Sequence, residues 1–297
     1  MRADIAVHDR PHTRELDLEI AGLDALELDA GRRHSRVRRV WSATWPKLTA
    51  IAIAIGLWQV VVWSGWKPEY VLPGPGAVFS QLWDDLLAGD VLEAARLTLR
   101  RALWGFALAS LVGALIGVLV SRWRILRVAF GSFITGLQTM PSIAWFPLAL
   151  LLFQRSEGAI TFVVVLGAAP AIANGVINGA DHVPPLLLRS GRVLGARGLG
   201  LYRTVTMPAS LPSIIGGFKQ GWAFAWRSLM AGELLVIIAG VPSIGFRLQA
   251  ARDVQDTPGL LGTMIVILVI GILVDSLVFG VAERAVRTRW GLVDPTH

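Results

Sequence analysis

The stretch "LLLRSGRVLGARGLGLYRTVTMP", residues 186–208, carries Arg189, Arg192, Arg197 and Arg203, no acidic residue, and glycines at 191, 195, 198 and 200. The chain on either side of it is mostly apolar. A basic, glycine-punctuated passage of this length is unusual for a mere connector, because connections between helices commonly need only a few residues. What it does depends on what flanks it.

The totals set the first bound. The 297 residues are 54% hydrophobic and 16% charged, and the mean hydropathy is +0.58. Soluble domains carry about 25% charged residues, so the deficit points to a bilayer protein. The absence of cysteine excludes disulfides, thiol catalysis and Cys-based metal sites. A net charge of +7 suits nucleic acid or anionic lipid. The arginines flank apolar runs, and the aromatics sit in or beside them, which favours the lipid boundary over nucleic acid. The first 46 residues lack an apolar core, so no cleavable signal peptide is expected.

A spanning helix needs roughly 20 mainly apolar residues. Six stretches qualify: 48–63, 102–120, 128–153, 159–177, 214–239 and 260–281. The expectation is an all-α polytopic membrane protein of about six transmembrane helices. A cytoplasmic tail (1–46) would precede a transmembrane domain (47–291), whose inner loop covers about 179–212, and a C-terminal tail (292–297) would follow. Placing the N-terminus inside puts Arg32, Arg33, Arg36, Arg38 and Arg39 on the cytoplasmic side. Arg122, Arg124 and Arg127, the quoted stretch, and Arg284, Arg287 and Arg289 join them there. Arg96, Arg100 and Arg101 dissent, since they fall just outside the second span; side chains reaching toward lipid headgroups would account for them. In the tail, "LDLEIAGLDALELD" reads as a flexible segment or an amphipathic helix. "VLPGPGAVFSQLWDDLL" reads as a rigid turn entering a helix along the membrane surface.

Within the quoted stretch, Asp181 is placed to cap a helix and Pro184 and Pro185 suit its first turn. Gly195 interrupts that helix, and helical character resumes at Tyr202–Val205 before Pro208 stops it. Two short helices with a glycine joint result. "GRVLGA" and the spacing from Gly195 to Pro208 resemble the cytoplasmic loop of bacterial ABC-importer permeases. The register falls on Arg189, Ser190, Gly191, Gly195, Val205, Met207 and Pro208, with Leu194 and Ala196 beside the glycine. Arg189 departs from the family pattern, which often has Glu at that position. "LPGPGAVF", "LTLRRALWGF", "MPSIAWFPLALLLF", "GWAFAWRSLMAGELL" and "AERAVRTRWGL" resemble the nitrate, sulfonate, taurine and bicarbonate branch of that family, in its order.

The resemblance implies a type I ABC importer permease fold and a loop that acts as a coupling helix, docking in a groove of a separate ATPase. It implies a homodimer of permeases around a central path, two ATPase subunits that bind ATP and Mg, and an extracytoplasmic binding protein. An aliphatic sulfonate, taurine or nitrate would be the solute. No cofactor or metal is expected in this chain. It has no GxxxxGK[ST] phosphate loop, no G-x-S-x-G elbow, and no metal-ligand spacing among its histidines.

Polar residues inside the spans supply candidates for the path. Arg227 and Glu233 sit in the fifth stretch, where charge is costly; each faces either the path or a structural partner on a neighbouring helix. Gln138, Met140, Pro141, Trp145 and Phe146 form a gate candidate, because Pro141 and Pro147 should bend the third span. Asn174, Asn178 and Gln220 are further candidates. The alternative function is an ion-coupled secondary transporter using Glu233 and Asp275.

Overall fold

The computed structural model describes residues 36–238 and 240–289. The stretch 16–29, most of the leading tail and the segment 292–297 lie outside the described residues. The chain divides into two compact units, the first ending at Trp66 and the second beginning at Lys67. The first contains helix α1 (Arg36–Trp63), which carries Pro46 within it and from Thr44 onward is long and apolar enough to span a bilayer.

The second unit is helical wherever it is regular. It opens with α2 (Pro75–Ala88), whose Pro75 occupies the first helical turn, where a missing N–H costs nothing. Gly89, at φ +88, then turns the chain into α3 (Asp90–Arg122). α4 (Arg124–Thr139) and α5 (Phe146–Phe153) follow, with a 3-10 turn, Ser142–Trp145, leading into α5. Next come α6 (Glu157–Asp181), α7 (Pro185–Val193) and α8 (Gly198–Leu201). The chain closes with α9 (Met207–Leu235), α10 (Ile244–Asp253), α11 (Thr257–Val274) and α12 (Gly280–Arg289).

α6 is the centre of the fold. Two thirds of its apolar window (67%) is buried, because α3 and α9 pack along it. Both partners present small residues to it. α3 turns Thr98, Ala102, Gly105, Ala109, Gly113 and Gly117 inward, three or four residues apart and therefore on one face. At the closest point of α6 and α9, a Cβ built on Gly217 would stand 2.5 Å from the Cα of Gly175. Without hydrophobic drive between helices in lipid, such close backbone approach is what holds them. An aromatic cluster fills the remainder of the core. Phe106 meets the Trp222 ring edge-on at 5.3 Å and Phe279 at 6.2 Å.

Among the described residues four helices are long and apolar enough to cross a membrane, or five if the bent pair Arg124–Thr139 and Ser142–Phe153 is one span. The fifth expected stretch, 214–239, lies mainly in α9, which has 29 residues but is not among those four; Lys219, Arg227 and Glu233 lower its apolar character. The bend in the third stretch is 101°. It falls at Met140, which is extended (ψ 129) as the residue before a proline prefers. Pro147 begins α5 rather than breaking it.

Two local readings are corrected. Asp181 ends α6 and pairs with Arg127 at 2.6 Å, while Pro184 precedes α7. Pro208 does not stop a helix either. Residues Tyr202–Thr206 form a π turn that closes with Met207 N–H donating to Tyr202 O. The chain then continues into α9, with Pro208 in its first turn, where a missing N–H costs little.

Candidate functional site

The quoted stretch folds as a hairpin. α7 runs out at Val193, Gly195 turns at φ +89 and Gly198 at φ +54, and α8 leads through the π turn into α9. Gly195 N–H donates to Arg192 O and Ala196 N–H to Gly191 O, at 3.0 and 2.9 Å. Gly191 is buried where the arms meet: a Cβ there would lie 2.8 Å from Leu201 Cδ1 and from Val205 Cγ2. Only glycine lets the arms close so tightly. The apex is left bare, with Val193, Leu194 and Leu199 exposed at 87%, 87% and 85%. Arg189, Ser190 and Gly195 are exposed, Ala196, Val205 and Pro208 half-buried, and Met207 exposed at the base.

The path candidates fall in several places. Gln138 and Asn174 meet, Asn174 Nδ2 donating to Gln138 Oε1 at 2.6 Å across α4 and α6. Met140 and Pro141 are exposed at the bend and Trp145 is half-buried. Phe146 is in the core, packed toward Gly232. Asn178 is exposed, its carbonyl 2.8 Å from His182 Nδ1. Gln220 is exposed. So is Arg227, which donates to Ala223 O and stacks over the Phe224 ring at 4.6 Å.

Glu233 has different company. Its side chain is fully buried and accepts Arg101 Nη1 at 2.9 Å, Thr98 Oγ1 at 2.9 Å and Gly245 N–H at 3.0 Å. Thr98 in turn accepts from Ile244 N–H, so one carboxylate and one hydroxyl satisfy the first donors of α10. Arg101 also reaches Glu157 at the start of α6, Nε to Oε2 at 2.8 Å. The network joins α3, α6, α9 and α10. Thr98, Arg101 and Glu157 lie far from Glu233 in the chain, and the sequence signals them only through an arginine beside an apolar run. Asp275 is 3.5 Å from Lys219, which also faces Glu283 at 3.7 Å. Both carboxylates named for ion coupling are therefore engaged with cations.

Long apolar helices pack around a glycine-rich core, and a basic hairpin projects an apolar tip from it. The chain belongs to the family of binding-protein-dependent transport system inner membrane components, whose model matches residues 105–287. A Bacillus subtilis (strain 168) protein named for aliphatic sulfonates transport, SsuC, is 29% identical over 238 residues, covering 80% of this chain and 85% of that protein. The nitrate import permease protein NrtB of Leptolyngbya laminosa is 27% identical over 252 residues, covering 81% and 87%. A chain from inward-facing crystals of the MetNI methionine ABC transporter shares the fold, with a TM-score of 0.57 and 17% identity over 69% of this chain and 98% of that one. The fold is thus the type I permease fold, and the relatives the chain resembles are named for sulfonate, nitrate and bicarbonate transport.

Proposed function

We propose that the chain forms, as a homodimer, the membrane path for a small anionic solute: an aliphatic sulfonate first, then taurine or nitrate. Two cytoplasmic ABC ATPases carry ATP and Mg and drive it, and an extracytoplasmic binding protein delivers the solute. The N-terminus and the 186–208 hairpin face the cytoplasm. The observation that carries the coupling role is the hairpin apex. Val193, Leu194 and Leu199 are almost wholly exposed on a frame that Gly191 holds closed. Burying each would contribute about 1.5–3 kcal/mol, whereas an exposed arginine pair contributes about 0–1 kcal/mol. The apolar tip is therefore the anchor and the arginines its rim. The relatives' names support the solute class, and the family's description calls for a binding protein. The bend at Met140–Pro141, with Gln138 and Asn174 beside it, is the gate under this reading.

The test is co-purification of the tagged chain with its ATPase. L194D/L199D should insert in the membrane at wild-type level and lose the ATPase. Retention of the ATPase by that variant would end the coupling assignment. Uptake of labelled taurine, alkanesulfonate and nitrate by the intact system then decides among the solutes.

A further inference from the structure

We propose that the cleft between the first turns of α3 and the loop at 240–242 binds the phosphate of an anionic lipid headgroup, held by Arg96 and Arg100. The cleft measures about 320 Å³. Arg96, Leu97 and Arg100 form one wall, with Glu93 beside them, and Gly240–Pro242 form the other.

Three arginines stand together before the apolar run of α3, and they divide into two roles. Arg101 turns inward, its side chain 7% exposed, and is spent on Glu157 and Glu233. Arg96 and Arg100 are exposed and take part in no ion pair among the described residues. Four residues apart on a helix, they occupy one face and reach one volume. Glu93 shares the cleft without pairing to either, which leaves one positive charge in surplus. Leu97, Val241 and Pro242 make the rest of the lining apolar, which suits an amphiphile better than a hydrated ion.

The occupant is decided by what continues from the arginines along the helix. Trp104, Leu108, Leu111 and Leu115 are all exposed on the same face, at steps of four, four, three and four from Arg100. A guanidinium pair, then an indole, then aliphatic side chains follow the polarity gradient from headgroup to acyl chain. Guanidinium matches phosphate with two parallel hydrogen bonds. A free anion would make no use of the stripe below it.

The test is native mass spectrometry of the full-length chain in neutral detergent, titrated with phosphatidylglycerol and, separately, with diacylglycerol of the same acyl chains. Retention of phosphatidylglycerol should fall about fivefold for R96Q or R100Q and about twentyfold for the pair. R96K/R100K should recover part of it, R252Q should leave it unchanged, and diacylglycerol should be retained poorly throughout. Should the double variant fail to fold by circular dichroism, the single variants carry the test. Equal retention by the glutamine variants, or of diacylglycerol, overturns the proposal. So does displacement of the lipid by millimolar methanesulfonate, which would assign the cleft to a free anion. Cross-linking between two copies of L111C would assign the stripe to a second subunit and overturn it equally.

Discussion

Arg101 and Glu233 lie 132 residues apart in the chain, and Arg101 Nη1 meets Glu233 Oε1 at 2.9 Å in the buried heart of the second unit. The same carboxylate caps α10 through Gly245 N–H and takes a hydrogen bond from Thr98. The charge costly to bury in α9 is thus neutralised by α3 and used to start α10. Glu157, half exposed, holds the other edge of the guanidinium.

Removing the arginine leaves that carboxylate buried and uncompensated, so R101A should lose about 3–5 kcal/mol. E157Q removes an exposed partner and should cost about 0–1 kcal/mol. Thermal melts of the purified chain check the ranking; an R101A melt at wild-type temperature would contradict the keystone role.

The contact of α6 with α9 gives a contrast between adjacent glycines. G217A drives a methyl into the backbone of Gly175 and should cost about 1–3 kcal/mol. At Gly216 a Cβ meets nothing within 4 Å, so G216A should be neutral or stabilising by up to about 1 kcal/mol. The two melting curves should move in opposite directions or differ clearly in size.

At the hairpin, G195A places a side chain at φ +89 and should cost about 1–2 kcal/mol locally. G191V pushes Leu201 and Val205 apart. Both should quicken proteolysis between residues 186 and 208 in membranes. G200A, with open space around it, should cut at the wild-type rate.

Q138A and N174A each break the 2.6 Å bond beside the bend. Each should slow solute uptake, and the double variant should cost little more than either alone, with a coupling of about 0.5–1.5 kcal/mol. Additive losses in a double-mutant cycle would separate the two residues functionally.

Much of this was legible locally. Long apolar runs foretold α3, α6 and α11, because partition into lipid depends on length and composition alone. Gly195 announced its turn and Pro141 its bend, because each restricts its own backbone. Pro208 is different: whether it stops a helix or sits in a first turn depends on the π turn before it, which proline does not encode. Asp181 read as a cap because its partner, Arg127, lies 2.6 Å away in space and distant in the chain.

The sequence by itself determined that this is a helical membrane protein with a basic hairpin near its middle, since hydropathy, charge and backbone restriction are properties of neighbours. Only the tertiary structure decided that Glu233 belongs to Arg101 and that Gly175 faces Gly217. Those pairings join residues from different helices, and the energy of a buried charge or a close glycine contact exists only once the helices have packed.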